Sequence, residues 1–303
     1  MKKALLLSGY IGTPQKANSN SNTPIPIEKQ DIYLQMCYNH WKKHLFNKED
    51  VDVFIHSWDY KCKDVIIKYF NPKKIEVEPG MENSKIIQDF EHNIRSNNIN
   101  TTTKGRIHQI YGYKKVWNLF EPYANNYNCI IHARFSMCLH KPFPFSQLKP
   151  NMMYITKLMA GTNTPYKYNI HGFFEDPIIS TSIIGSREYC DSINYLVDKK
   201  KYELCKNHGG QFNNSLNCVS AHRTTYHILH ILKKYHNINW SWIPDFIYTN
   251  HYHSSSFNYC RHLYFGEYDK NHRRQKDPMF ANMSKKNVLH LEENKKLLNA
   301  YNS

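Results

Sequence analysis

The first sixty residues contain two short apolar runs separated by one helical pattern, and this alternation constrains the fold more than any other feature of the sequence. The first run is Lys3–Gly9 (KALLLSG) and the second is Val51–Trp58 (VDVFIHSW). Both have the length and composition of strands that are buried on both faces of a sheet. Between them, Gln30–Phe46 carries its apolar side chains at helical spacing. Strand, helix and strand in this order predict a parallel β-α-β unit.

The same alternation continues along the chain. Further strands are predicted at Lys74–Glu78, Cys129–Phe135 and Met152–Thr156, with a helix at Arg106–Phe120. We therefore predict an α/β protein with an open, mostly parallel, Rossmann-like sheet that is flanked by helices. No internal repeat and no convincing linker divides the chain, so we expect a single domain.

The second half of the chain carries weaker patterns. We predict a strand within His171–Ser182, a helix capped by Ser186, a helix capped by Ser220 and a strand at Trp240–Tyr248. The residues that follow Arg261 are mostly polar and basic, and we expect them to be peripheral.

The charge balance restricts the partners. The chain has 40 Lys and Arg against 25 Asp and Glu, and its formal net charge of +15 attracts anions such as nucleotide sugars, acidic glycans, nucleic acid or membrane headgroups. It has none of the usual nucleic-acid-binding signatures, so a nucleic-acid partner is not expected.

Eight cysteines without a C-x-x-C pair indicate reduced core residues. Without a signal-peptide pattern or a membrane-length apolar segment, we expect a soluble, cytoplasmic protein.

Three of the predicted strands end in residues that can bind a ligand. The three ends are Ser8-Gly9-Tyr10, His56-Ser57-Trp58-Asp59 and His132-Ala133-Arg134-Phe135-Ser136. Ligands of open α/β sheets bind at the carboxyl ends of parallel strands. Gly9 permits a close approach of the backbone, and either Tyr10 or Trp58 can stack on a base. Asp59 can accept hydrogen bonds from a ribose or base, and Arg134 can hold phosphate oxygens. We therefore predict one crevice that binds a nucleotide.

The chain resembles a family of small glycosyltransferases with a GT-A-like nucleotide-sugar fold, known from bacterial surface-polysaccharide clusters and large DNA viruses. The resemblance covers residues 3–200 in order, and it rests on KALLLSGYIGT, VDVFIHSWD, the strand of 71–78, the helix of 109–120 and YNCIIHARFSM. VDVFIHSWD followed by IIHARF is its more specific part. The resemblance implies transfer of a sugar from a UDP- or GDP-linked donor to a glycan or glycoprotein acceptor, in the host cytoplasm if the protein is viral.

Carried over by position, the resemblance assigns roles to single residues. It implies nucleotide contacts by Ser8 and Gly9, base or ribose contacts by His56 and Asp59, and diphosphate contacts by Lys115 and Arg134. The chain is then interpreted as a nucleotide-sugar-binding half (1–160), an acceptor-binding half of the same domain (161–265) and a basic C-terminal tail (266–303).

Ser136 departs from the pattern of the family. The family usually has Arg-Phe-Asp where this chain has Arg134-Phe135-Ser136. The acidic residue there serves as a DxD-type carboxylate, which holds a divalent cation against the diphosphate. Serine replaces it poorly. Cations such as Arg134, Lys114 and Lys115 could neutralise the leaving group without a metal, another carboxylate could hold Mn²⁺ or Mg²⁺, or the site could be degenerate. We favour the first alternative.

The segment Phe174-Glu175-Asp176-Pro177 is the second candidate for chemistry. In inverting GT-A enzymes a similar segment supplies the base that deprotonates the acceptor hydroxyl. Asp176 is the preferred base and Glu175 the reserve; in a retaining enzyme Asp176 would serve another role, such as binding the sugar.

Other functions remain in competition with glycosyl transfer. The alternative is a non-catalytic GT-A-like protein that binds glycan or nucleic acid through its basic surface, and Ser136 together with the net charge motivates it. Another nucleotide-dependent transferase, such as a sulfotransferase or kinase, is a weaker option, and the absence of a P-loop motif counts against the P-loop kinases.

Overall fold

The computed structural model describes residues 1–9, 11, 29–79, 85, 88, 101–159, 174–194, 221–249, 257–259 and 291–302. The strands are β1 (Lys3–Gly9), β2 (Val51–Ser57), β3 (Lys74–Val77), β4 (Cys129–Arg134), β5 (Met137–Leu139), β6 (Met152–Met159), β7 (Phe174–Ser180), β8 (Asn239–Thr249) and β9 (Phe257–Tyr259). The α-helices are α1 (Gln30–Trp41), α2 (Lys63–Phe70), α3 (Thr101–Phe120), α4 (Ile183–Cys190), α5 (Ala221–His236) and α6 (Glu292–Asn302). A π-helical turn, Lys42–Phe46, continues α1, and short 3-10 helices occupy Tyr60–Cys62, Glu121–Asn126, Phe145–Gln147 and Asp191–Ile193.

Within these residues, seven strands form one sheet in the order β3-β2-β1-β4-β7-β6-β8, and β5 pairs with β9 separately. The pairs β3-β2, β2-β1, β1-β4 and β6-β8 are parallel. The strand β7 runs antiparallel to both of its neighbours, β4 and β6. The fold is therefore the open, mostly parallel α/β sheet that the sequence predicts, with one reversed strand.

Alternation along β1 divides the interior into two cores. Leu5 and Leu7 point to one face of the sheet, where they pack in a core with residues of α1 and α2. Ala4 and Leu6 point to the other face, where the core includes residues of α3, α4 and α5. A strand buried on both faces must be apolar at consecutive positions, and this explains the continuous ALLL run of β1.

The helix predicted from Ser186 begins earlier than expected. Ser182 is its N-cap, since its Oγ accepts a hydrogen bond from the Gly185 amide at 3.3 Å. Ser186 lies inside the helix, fully buried, where its hydroxyl contacts His132 at 2.9 Å. Serine is a favoured N-cap residue at either position. Because β7 ends at Ser180, the helix starts after the first of the two serines, Ser182. The other predicted cap, Ser220, lies outside the described residues.

The end of the chain also differs from the predicted peripheral tail. The helix α6 packs against α1 through Asn294, which is fully buried. The Asn294 amide donates to the Met36 carbonyl at 2.9 Å and accepts from the Asn39 amide at 2.7 Å. These two hydrogen bonds satisfy a buried polar side chain, so α6 is part of the fold. In the described part of the chain, no helix combines the length and apolarity needed to cross a bilayer.

Candidate functional site

The three predicted strand ends lie side by side at the carboxyl end of the sheet. Ser8 of β1 is in register with His56 of β2 and with Arg134 of β4, and Gly9 is in register with Ser57. Neighbouring strands of a sheet are about 4.8 Å apart, so these positions form one short row. The chain leaves β1 through α1 to reach β2 on one side, and it reaches β4 on the other side through α3. In doubly wound sheets such a switch point marks the ligand crevice.

The loop after β1 is held by the end of β2. Gly9 has a φ of +112°, which side chains disfavour, and the Ser57 hydroxyl donates to its carbonyl at 3.1 Å. The Asp59 carboxylate accepts a hydrogen bond from the Ile11 amide at 2.5 Å and is only 5% exposed. The residue that the sequence assigns to a ribose or base therefore contacts the backbone of this loop.

The helix α3 packs directly on these strand ends at Gly112. A Cβ at Gly112 would lie 3.5 Å from the Ser8 Cβ and 3.6 Å from the Trp58 Nε1. Ser8 and Trp58 are accordingly buried. Trp58, which the sequence predicts to stack on a base, packs instead edge-on against His56 and stacks on Tyr111, with centroid distances of 4.4 Å and 6.1 Å.

A paired charge network lies beside this row. The His56 Nε2 contacts the Glu78 carboxylate at 2.9 Å, and the Lys115 ammonium contacts Glu78 at 3.0 Å and Glu76 at 3.5 Å. A carboxylate only accepts, so Glu78 selects the tautomer of His56 that carries its proton on Nε2. We call His56, Glu76, Glu78 and Lys115 the carboxyl-end network.

Burial and pairing act against each other in this network. Burial lowers the pKa of His56, and the hydrogen bond and charge of Glu78 offset this only in part. Burial raises the pKa of Glu78, but the hydrogen bonds from His56 and Lys115 outweigh it and leave the pKa below its usual value. Burial lowers the pKa of Lys115, and its two glutamate partners more than compensate, so the pKa is raised. Lys115 is therefore a charged group held in place by carboxylates.

Lys114 is likewise engaged. Its ammonium forms an ion pair with Asp191, which follows α4. Lys114 and Lys115 both contact carboxylates, and metal-free neutralisation of a diphosphate by these lysines and Arg134 stays a prediction. Arg134, half-buried at the end of β4, is the remaining cation of that prediction, and Ser136 follows it in the turn before β5.

The backbone of Glu175 and Asp176 reaches the same end of the sheet. Because β7 runs antiparallel to β4, it begins where β4 ends. His132 pairs with Ile178, and beyond this pair β7 is irregular, since its pairing with β6 passes from Ile178 directly to Glu175. Glu175 is paired with Thr156 of β6. Of the other predicted contacts, Tyr10 lies outside the described residues.

The sequence interpretation missed three contributors to this end of the sheet. Glu76 and Glu78 follow each other at alternate positions of the KIEVE run, which places both side chains on one face of the strand end, and this was the available signal. Gly112 could not be recognised, because a glycine within a helical pattern carries no sign of what packs against it. In the described ranges, no group of three His, Cys, Asp or Glu side chains is arranged to hold a metal ion.

His132, although it belongs to a predicted strand end, is part of the core. Its ring is fully buried and contacts the Ser186 hydroxyl at 2.9 Å and the Cys190 sulfur at 3.5 Å. Burial lowers the pKa of His132 to about 3 and raises that of Cys190 well above its usual value. A neutral imidazole beside a protonated thiol is a packing contact and not an activated nucleophile.

Comparisons with known proteins find a likeness among solved structures. No protein-family model matches the sequence, and no curated protein sequence matches it either. Among solved structures, the crystal structure of mouse xyloside xylosyltransferase 1 in its apo form is similar over 80% of this chain and 85% of its own. The two chains are 8% identical, and the TM-score is 0.39.

Proposed function

We propose that this chain is a glycosyltransferase that transfers a sugar from a nucleotide-sugar donor to a glycan or glycoprotein acceptor. The row of Ser8, His56 and Arg134 at the switch point of a doubly wound sheet is the observation that carries the proposal. The sequence resemblance to small GT-A-like glycosyltransferases, which rests on the same strand segments, motivates the choice of a nucleotide-sugar donor.

The donor diphosphate is assigned to the end of β4. Arg134 is half-buried there, in register with Ser8 of β1. A guanidinium can bind two phosphate oxygens at once, and it keeps its charge at every physiological pH. Asp59 contributes by fixing the loop through the Ile11 amide. Ser8, Gly9, Tyr10 and Ser136 complete the proposed nucleotide site.

The acceptor is assigned to the side of β7. Asp176 is the third residue of β7, which begins at the end of the sheet where β4 ends. An in-line displacement needs a base within reach of the acceptor hydroxyl. We propose Asp176 as the base of an in-line displacement, with Glu175 as the reserve. Ser136 argues against a DxD-type cation site, and the pairing of Lys114 and Lys115 with carboxylates argues against full replacement of a metal by lysines.

Donor binding and turnover test the two assignments separately. We would measure calorimetric binding of UDP-, GDP- and CDP-sugars, and their hydrolysis, with Mn²⁺ and with EDTA. Asp176→Asn is expected to keep donor binding and to reduce turnover by a factor of about 10² or more. Asp50→Asn, which removes an exposed carboxylate before β2, is the matched control and should leave both unchanged. A folded protein that binds none of these sugars would refute the proposal.

Ser136→Asp tests the role of the cation. A carboxylate at this position restores the pattern of the family, so we expect Mn²⁺ to bind more tightly and donor affinity to become dependent on it. A wild-type protein that already loses all donor binding in EDTA would show that the cation is held by another carboxylate.

The alternative is a non-catalytic protein that binds glycan or nucleic acid through its basic surface. The formal net charge of +15 and Ser136 favour it. Binding of DNA or an anionic glycan with a steep salt dependence, together with no turnover of any donor, would decide for this alternative.

A further inference from the structure

A second candidate binding site lies at the amino end of the sheet, where its strands other than β7 begin. A cavity of about 610 Å³ opens between the end of α5 and the start of β8, and the described residues that line it are His230, Lys233, Lys234, Asn239 and Trp240. Asn239 is in register with Met152, the first residue of β6, so the cavity is at the opposite end from Gly9 and Arg134. We call it the amino-end groove. Its volume is within the range of about 300–1,000 Å³ that is usual for small-ligand sites.

The described lining of the groove is cationic. Lys233 and Lys234 are exposed, and the sequence of α5 (AHRTTYHILHILKKYH) contains no acidic residue. Cations at the end of a helix offset its negative dipole, which is equivalent to about half an elementary charge. Two lysines exceed that amount, so a net positive charge remains to attract an anion. The Lys234 ammonium also lies 5.0 Å from the centroid of the half-exposed Tyr235 ring.

Trp240 gives the groove an apolar side, and Trp242 lies beside it on the same strand. Trp240 and Trp242 are two residues apart in β8, so both project to the face of the sheet that carries α5. Their rings meet edge to face, with centroids 5.6 Å apart and planes at 82°. Trp242 lies on β8, the edge strand of the sheet, and its large apolar indole is 36% exposed. The partly buried Trp240 lines the groove together with the two lysines, and the exposed Trp242 extends this apolar surface.

The perpendicular rings favour a saccharide over nucleic acid. Proteins that bind single-stranded nucleic acid stack successive bases on aromatic platforms along a track of phosphate contacts. Two indoles at 82° cannot offer parallel platforms to neighbouring bases, and the two adjacent lysines span only a short ligand. A pyranose ring, in contrast, places its C–H groups against one indole face and can direct an acidic substituent to the rim of the groove.

We propose that the amino-end groove binds an anionic oligosaccharide, in which one sugar ring packs on the exposed indole of Trp242, beside Trp240, and carboxylate or sulfate groups contact Lys233 and Lys234. The site is remote from the proposed donor crevice and does not depend on it. A glycosyltransferase could use it to hold a long acceptor, and a non-catalytic protein could use it as its only glycan site.

Calorimetry on the full chain, without any nucleotide sugar, tests the proposal. The probes are trigalacturonate for a carboxylated ligand, a heparin tetrasaccharide for a sulfated one, maltotriose as the neutral reference and hexathymidylate as the nucleic acid. We expect one or both acidic saccharides to bind at least about tenfold more tightly than maltotriose and hexathymidylate, with an affinity that falls as salt screens the lysines.

Variants identify the residues. Lys233→Ala/Lys234→Ala should weaken binding of the acidic saccharide about tenfold or more, since two charge-assisted contacts are lost. Trp242→Ala should weaken it several-fold, and the indole fluorescence of the wild type should change on binding. The matched control is Lys42→Ala/Lys43→Ala, which removes two adjacent exposed lysines from the π-helical turn after α1 and should leave affinity unchanged.

Four outcomes would overturn the proposal. They are equal binding of maltotriose, tighter binding of hexathymidylate, no binding of any probe, and an equal loss of affinity in the Lys42→Ala/Lys43→Ala control. Arg134→Ala is expected to retain saccharide binding, so failure at the donor crevice and failure at this groove can be distinguished.

Discussion

The two ends of the sheet hold their charges in different ways. At the carboxyl end, Lys115 contacts Glu76 and Glu78, and Lys114 contacts Asp191. At the amino end, Lys233 and Lys234 are exposed on a helix without acidic residues. Paired and partly buried cations hold neighbouring groups in position, whereas exposed cations are available to an incoming anion. The carboxyl end is therefore organised for positioning, and the amino-end groove is suited to electrostatic attraction.

The largest expected effect separates the two ends by ligand. Arg134→Ala should weaken nucleotide-sugar binding by about a hundredfold, because two hydrogen bonds between charged groups are lost at the diphosphate. Lys233→Ala/Lys234→Ala should not change it. Arg187→Ala, which removes a half-exposed arginine paired with Glu121, controls for the loss of one positive charge. Titration calorimetry with the same donor would measure all three, and equal losses for Arg134 and Arg187 would mean that bulk charge alone attracts the donor.

A smaller effect tests whether the carboxyl-end network stabilises the fold. Glu78→Gln should reduce the free energy of unfolding by about 1 kcal/mol at pH 7, because the ion pair with Lys115 is lost in a partly buried setting. The pKa of Glu78 is lowered in the folded chain from the usual 4.5, so this stability is present above pH 4.5 and is lost as the pH falls through the folded value. The difference between wild type and variant should therefore disappear in acid. Urea titrations from pH 7 to pH 3 measure it, and Lys233→Gln should stay within about 0.5 kcal/mol of wild type throughout.

The smallest effect compares two helical glycines, one at each end. A Cβ at Gly112 would meet only ordinary contacts at 3.5 Å and 3.6 Å, so Gly112→Ala should stabilise the protein by about 0.5–1 kcal/mol through helix propensity. A Cβ at Gly185 would lie 2.7 Å from the sulfur of Met153, which is fully buried, so Gly185→Ala should cancel that gain or destabilise the protein. Thermal unfolding of both variants checks the order. A more stable Gly185→Ala than Gly112→Ala would contradict the packing described for α4.

The strands of the first half were predictable because burial on both faces demands continuous apolar runs. The prediction for β1 was correct at both ends, and β2 and β4 each differ by one residue at the carboxyl end. The short β5 was missed, since three residues after a turn carry too little periodicity. The predicted start of α4 was wrong, because Ser186 was expected to cap the helix and Ser182 caps it. Both serines are suitable caps by residue type, and the position at which the preceding strand ends decides between them.

The candidate site was only partly accessible to the same reasoning. The alternation of strands and helices in the sequence predicts a parallel sheet. In such a sheet the carboxyl ends of neighbouring strands lie side by side, and this brings Ser8, His56 and Arg134 together. The contact partners do not follow. Nothing near Asp59 in the sequence indicates that its carboxylate binds the Ile11 amide, and nothing near Lys115 indicates Glu78, because these partners come from different elements.

By itself, the sequence determined the α/β class, the order of the strands along the chain and the residues that end them, since hydrophobic periodicity and strand length are local properties. Tertiary structure decided which of those end residues are buried under α3 and, among the described lysines, which contact carboxylates and which are exposed at the amino end. The physical reason is that burial and charge pairing are sums over neighbours distant in sequence. Two lysines of the same type therefore differ in environment only once the fold has brought a carboxylate to one of them.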